Sequence, residues 1–233
     1  MMVTINPITE VATQPLFLAK EVVLKKVACL LYPNYSLYEI TTLTSTLVLH
    51  YGVKIDYIAS KNQVVVSEDG LDTLPTKLID DVNLDDYSCI ILPGMIDFKE
   101  ALYDDRLITF LKTLKNSSLL IAAISSAPLL LAKAGLLEDV CYTGGIWQNF
   151  FNYFDFLKID NFKAHPVTKD KNIVTAIGFA HQEFARVVLE ELHLVSDASG
   201  FFKEKDSYQK SDIIFTLSET EFAEFKEDFE KNV

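Results

Sequence analysis

Short, nearly continuous apolar runs alternate with amphipathic stretches through the middle of this chain. That alternation is the feature that most constrains its fold. The runs are residues 26–32, 53–58, 88–92, 119–124 and 172–177. A strand that is apolar on both sides is buried on both faces, as happens where helices cover a parallel sheet. Between the runs, residues 38–51, 97–114, 128–134 and 181–192 carry helical spacing. The pattern predicts an α/β fold: a flavodoxin-like parallel sheet sandwiched by helices over residues 25–194, with all five runs in one sheet. Residues 64–74 read as a small hairpin or a loop. Residues 1–24 form an N-terminal extension without clean periodicity. Residues 195–233 form an acidic, helical tail. Within the tail, a helix over 219–231 places Phe222, Phe225 and Phe229 on one side. It is either docked on the core or a partner-binding helix.

Charge narrows the classes of partner. The chain carries 33 acidic and 21 basic side chains, net −12, with no basic cluster beyond Lys25-Lys26. Phosphate neutralisation supplies most of the affinity for nucleic acid, so nucleic acid and anionic membranes are not expected as partners. Residues 1–24 lack the basic start and apolar core of a secretory signal, and the apolar stretch 119–124 is too short to cross a bilayer. Cys29, Cys89 and Cys141 are odd in number, widely spaced and set among apolar residues. They read as reduced, buried thiols in a cytoplasmic protein. No metal-ligand spacing and no glycine-rich phosphate loop is present, so no metal or cofactor is expected.

The chemistry centres on Leu119-Leu-Ile-Ala-Ala-Ile-Ser-Ser-Ala-Pro-Leu-Leu-Leu-Ala-Lys-Ala-Gly135. A buried strand runs straight into a helix, so the junction residue, Ser125, sits at a sharp turn above the C-terminal edge of the sheet. Such a turn needs small residues two positions to either side, and Ala123 and Ala127 supply them. The free amides of the helix start suit an oxyanion or an anion. The same residues also fit a simpler role, in which Ser125 or Ser126 only caps a helix whose first turn contains proline.

Four stretches in order resemble the DJ-1/ThiJ/PfpI family, within the class I glutamine amidotransferase-like superfamily. Residues 122–137 resemble its nucleophile elbow. Tyr32-Pro-Asn-Tyr-Ser-Leu-Tyr-Glu-Ile40 resembles its first loop with an acidic residue, and Ile91-Leu-Pro-Gly94 its Leu-Pro-Gly-Gly turn. Residues 167–192 resemble its closing strand and helix. The resemblance spans about residues 25–194 and implies the family fold. Family activities range from chaperones to deglycase-like and glyoxalase-like enzymes, peptidases and hydratases. It also implies a homodimer.

The departures from the family pattern bear directly on activity. The usual nucleophilic cysteine is matched by Ser125, which needs a positioned base where a thiolate does not. The family histidine positions are matched by Ser126 and Tyr142, and the second glycine of the turn by Met95. Glu39 keeps the family carboxylate. It either reaches Ser125 or is an exposed glutamate at a helix start. His181 either reaches the site or is a solvated helix start. Cys141 and Tyr142, neighbours on an expected strand, point to opposite faces, so Cys141 is not expected to replace the thiol. Three functions follow. The first is a small-molecule pocket at the elbow without the family's cysteine chemistry. The second is a hydrolase or amidotransferase-like enzyme, with Ser125 as nucleophile, Glu39 or His181 as base, and the Gly94, Met95 and Ser126 amides as oxyanion donors. The third is an interaction module acting through the acidic tail.

Overall fold

The computed structural model describes residues 25–202, 207, 209, 213–214 and 216–231. The expected N-terminal extension lies outside the described residues. The described chain falls into two compact units. The first, from residue 25 to residue 201, holds the sheet. The strands are β1 (Lys26–Leu30), β2 (Ile55–Ala59), β3 (Val65–Val66), β4 (Asp72–Thr73), β5 (Lys77–Leu78), β6 (Tyr87–Leu92), β7 (Leu120–Ile124), β8 (Val167–Asp170) and β9 (Ile173–Ala176). The helices are α1 (Tyr38–Leu49), α2 (Lys99–Leu102), α3 (Asp105–Thr113), α4 (Pro128–Lys133), α5 (Phe150–Tyr153) and α6 (His181–Glu191).

Seven strands form one sheet in the order β5-β2-β1-β6-β7-β9-β8. All pairings are parallel except β8 with β9. The five apolar runs therefore share one sheet, as expected from their sequence. The sheet grows from β1 in two directions. Right-handed crossovers consequently place α1 on one face and α3 and α4 on the other, with a switch in direction between β1 and β6. α1 packs with α6, and α2 and α3 with α4. The core is apolar on both faces: Leu30, Ile58, Ile90, Leu92 and Ile124 are fully buried.

Two local features depart from the sequence reading, and a third decides between the hairpin and the loop in favour of the hairpin. The helix expected over 97–114 is two helices, α2 and α3. Asp104 breaks it by accepting the Arg106 and Leu107 amides at 3.0 and 3.1 Å, a side-chain cap that starts a new helix. Residues 64–74 contain the antiparallel pair β3–β4. Cys141 and Tyr142 do not belong to a strand of the main sheet; Tyr142 makes one isolated bridge, to Phe162. The expected end of α4 is found: Gly135 follows it at φ +78°, a left-handed conformation that glycine adopts without a Cβ penalty.

In the second unit, α7 spans Glu219–Lys231, the bounds read from the sequence. Ser218 and Glu221 start it with a capping box. The Glu221 carboxylate accepts from the Ser218 amide at 2.8 Å, and the Ser218 hydroxyl accepts from the Glu221 amide at 3.3 Å. Phe222 and Phe225 stack, with ring centroids 6.2 Å apart, on the face expected for them. The Phe229 side chain lies outside the described residues.

Candidate functional site

The loops after β1, β6, β7 and β9 meet at the C-terminal edge of the sheet, beside the switch in strand direction. Ser125, directly after β7, has φ +60°. This is the left-handed region, which costs a non-glycine residue about 1–3 kcal/mol. Two hydrogen bonds lock it there. The Ser125 amide donates to the Ala176 carbonyl at 2.8 Å, and the Ser125 carbonyl accepts from the Gly145 amide at 2.7 Å. A helix cap needs no such backbone, so the turn is an elbow. Ala123 and Ala127 are wholly buried beside it.

Glu39, in the first turn of α1, is 4% exposed. Its carboxylate accepts from the Gly94 amide at 2.9 Å, from the Ser125 hydroxyl, and from the Tyr38 hydroxyl at 3.4 Å. Burial pushes the carboxyl up to about 6. The three hydrogen bonds pull against that rise, and repulsion from Glu68 adds to it. All its partners are neutral donors, and the groups acting on it include no cation. Of the two readings of Glu39, the geometry is that of a buried partner of Ser125.

Glycines make this contact possible. A Cβ on Gly94 would lie 2.1 Å from Glu39 Oε2 and 2.4 Å from Ser125 Cβ. A Cβ on Gly178, just past β9, would lie 2.4 Å from Glu39 Oε1 and 3.2 Å from Ser125 Oγ. A Cβ on Gly144 would lie 2.8 Å from the Ser125 carbonyl oxygen, whereas one on Gly145 would make only ordinary contact with Ser125, at 3.4 Å.

Two of the three expected oxyanion donors are committed elsewhere. The Gly94 amide is bound to Glu39, and the Met95 amide donates to Ser126 Oγ at 3.0 Å. The Ser126 hydroxyl in turn donates to the Met95 carbonyl at 2.7 Å, which ties the β6 loop to the elbow. Among the described residues the Ser126 amide has no acceptor.

His181 stands at the start of α6, with Nδ1 3.2 Å from Thr42 Oγ1 and its ring edge-on to Tyr38 at 5.9 Å. It reaches Glu39 only through Tyr38, and no hydrogen bond joins it to Ser125. Tyr142 is placed apart from the elbow. Its ring is fully buried against Phe162, and its hydroxyl donates to the Lys158 carbonyl at 3.3 Å. Cys29 and Cys89 are wholly buried inside β1 and β6. Burial pushes the Cys29 thiol up to about 12 and the Cys89 thiol higher still, so neither is a ready nucleophile. Among the described residues no group of three or more His, Cys, Asp or Glu could hold a metal, and no helix is long and apolar enough to cross a membrane.

A cavity of about 380 Å³ opens above the elbow. Ser125, Ser126, Gly144 and Gly145 line it, together with Ile96, Phe98 and Trp147. The sequence does not mark Ile96 and Trp147, because they lie on loops, where exposed apolar residues have no periodicity to reveal them. A larger cavity of about 590 Å³ against α3 is lined by Ile79, Asp80, Arg106 and Phe110, away from Ser125 and Glu39. Chemistry, rather than volume, selects the elbow cavity.

A family model described as DJ-1/PfpI family matches residues 25–191. Among curated proteins, YdeA of Bacillus subtilis, named an uncharacterized protease, is 38% identical over 85 residues, 36% of this chain and 43% of YdeA. MJ0967 of Methanocaldococcus jannaschii, named an uncharacterized protein, is 35% identical over 88 residues, again 43% of its length. The matched stretch thus covers less than half of either relative. YoaZ of Bacillus subtilis, also named an uncharacterized protease, is 29% identical over 175 residues, 72% of this chain and 80% of YoaZ. Among solved structures, the DJ-1 superfamily protein Atu0886 from Agrobacterium tumefaciens superposes with a TM-score of 0.67 at 25% identity, covering 74% of this chain and 92% of that one. Oxidized Toxoplasma gondii DJ-1 gives 0.63 at 25% identity, covering 75% and 94%.

Proposed function

The chain belongs to the DJ-1/PfpI family, and from that premise we propose that it binds a small molecule in the elbow cavity without nucleophilic chemistry. In this reading Ser125 stands where the family carries its cysteine and acts as a hydrogen-bonding group. The observation that carries the proposal is the commitment of the Gly94 and Met95 amides to Glu39 and Ser126. A serine nucleophile needs a base and a preorganised oxyanion site, and removing a single donor from such a site costs about 10²–10³ in rate. Here two expected donors are occupied and no histidine bonds to Ser125. What remains is an open cavity at the edge of a parallel sheet, within the usual size range for a ligand site, about 300–1,000 Å³.

A fluorophosphonate probe tests this directly. The protein is incubated with the probe and digested, and the elbow peptide is examined by mass spectrometry. Ser125 is expected to stay unmodified, and casein is expected to stay uncleaved. Stoichiometric labelling of Ser125, or cleavage that Ser125→Ala abolishes, would make the chain a serine hydrolase and overturn the proposal.

A further inference from the structure

The make-up of the elbow cavity narrows the class of its ligand. This step rests on the elbow cavity being a binding site and is independent of whether Ser125 reacts. None of the side chains lining the cavity is charged. Three of its five apolar side chains are held in place: Met95 is buried in the core, Phe98 packs edge-on against Phe150 and Phe154, at 5.7 and 6.5 Å, and Ile146 packs against the core. The other two are left in water: Ile96 is 80% exposed and Trp147 72% exposed. Exposed large apolar side chains that line a cavity gain by covering a ligand, because that removes their surface and the ligand's from water.

The polar side of the cavity is specific in another way. The Ser126 and Gly144 amides have no acceptor among the described residues. Both serine hydroxyls are already donating, to Glu39 and to the Met95 carbonyl. The cavity therefore has amide donors to spare and no counter-ion for a charge of either sign. An anion would meet no cation and would lie close to Glu39. A cation would have to shed its water against five apolar side chains with no lining carboxylate to pair with it.

We propose that the elbow cavity takes an uncharged ligand with a flat apolar body and a carbonyl-type acceptor. In this arrangement Trp147 and Ile96 are the specificity-determining pair that grips the body, and the free amides receive the acceptor.

Trp147 is the chain's single tryptophan, so its fluorescence reports the cavity without labelling. The test uses three compounds of one shape: benzamide, benzoate and benzylammonium. Each is titrated into the full chain by tryptophan fluorescence and by ligand-observed NMR. Saturable binding of benzamide is expected, with the two ions at least about tenfold weaker, the cost of an unpaired charge. Ile96→Ser, on an exposed loop, should weaken benzamide about fivefold while leaving the fold intact, since it removes apolar contact and nothing else. Trp147→Ala, read by NMR, should do the same.

Equal or tighter binding of benzoate or benzylammonium would overturn the ligand class while leaving a binding site in place. No binding of any of the three would overturn both this inference and the pocket reading. Labelling of Ser125 by fluorophosphonate, with the neutral preference intact, would overturn only the non-nucleophilic role.

Discussion

Glu39 and Asp56 are carboxylates buried toward opposite ends of one sheet, 4% and 6% exposed, and their surroundings drive them in opposite directions. Asp56 lies toward the N-terminal edge. Burial works against its charge, but Tyr87 donates to it at 2.8 Å, Lys26 stands at 3.3 Å and Lys77 at 4.0 Å, and together these hold it below the usual aspartate range. Glu39, at the C-terminal edge, has neutral donors in place of cations. Burial wins there, and the carboxyl rises to about 6. Similar surface exposure thus goes with a settled ion at one end and an unsettled one at the other. Glu39 lies deeper among protein atoms and lacks the counter-ions that accompany Asp56, and the contrast separates the part of the sheet that holds the fold from the part that holds the candidate site.

The sharpest break in that comparison is steric. Gly94→Ala should destabilise the protein by about 3 kcal/mol, because its Cβ would drive into the Glu39 carboxylate and the Ser125 Cβ. Chemical denaturation measures it. A loss well under about 1 kcal/mol would mean that the elbow can open to admit a methyl group, and the tight Glu39–Ser125 contact would not be a fixed feature.

At the other end, Asp56→Asn should cost about 2 kcal/mol. The figure falls below the 3–5 expected for a fully buried pair because Lys26 and Lys77 are part-exposed and recover water when the charge is lost. The sign with pH follows from the lowered carboxyl. Its stabilisation is complete above the unfolded value near 4 and is lost as pH falls through the lower folded value. The cost of Asp56→Asn should therefore be flat from about pH 5 to 8. A cost that vanished at pH 7 would show that the lysines contribute nothing there.

Glu39→Gln should act in the opposite sense. A carboxyl whose folded value exceeds its unfolded one stabilises the fold when protonated. That contribution is complete below about 4.5 and is lost as pH rises through about 6. At pH 7.5 the folded protein carries an unfavourable buried charge, and Gln removes it. The variant should gain about 1–2 kcal/mol at pH 7.5 and nothing at pH 4, read as the difference between two denaturation series. A loss of stability at pH 7.5 would mean that the ion is well solvated, and the contrast with Asp56 would collapse.

The two ends were also unequally legible in the sequence. β1, β6, β7 and β9 were plain because strands buried on both faces leave continuous apolar runs. β5, of two residues, and β8, Val-Thr-Lys-Asp, left no such trace, because edge strands are short and half-exposed, with polar residues that blunt them. The partners of Asp56 come from the starts of three separate strands, and no local spacing announces them. The elbow was legible because Ser125 and its small neighbours sit in one stretch, and Glu39 and Gly94 lay in motifs of known order. The crowding around Ser125 had a signal that spacing did not carry. Of only eight glycines in 233 residues, four pack against Ser125 or Glu39: Gly94, Gly144, Gly145 and Gly178. The committed amides of Gly94 and Met95 had none, since they depend on side-chain rotamers across two loops.

The smallest expected effect isolates the backbone of the elbow from its side chain. Ser125→Ala keeps the left-handed backbone and loses the hydrogen bond to Glu39. Ser125→Gly loses the same bond but relieves the φ of +60°. Glycine should therefore be the more stable of the two by about 1 kcal/mol, less the entropy it adds to the unfolded chain. The order is informative because both variants delete the same hydroxyl, so the side-chain contribution cancels between them. Equal stabilities would mean that the locks at Ala176 and Gly145 impose no strain, and that Ser125 adopts its geometry as readily as an ordinary turn residue. A clear glycine advantage at Ser125, beside a flat pH response at Asp56, would place the stored strain at the C-terminal end of the sheet, where the cavity opens.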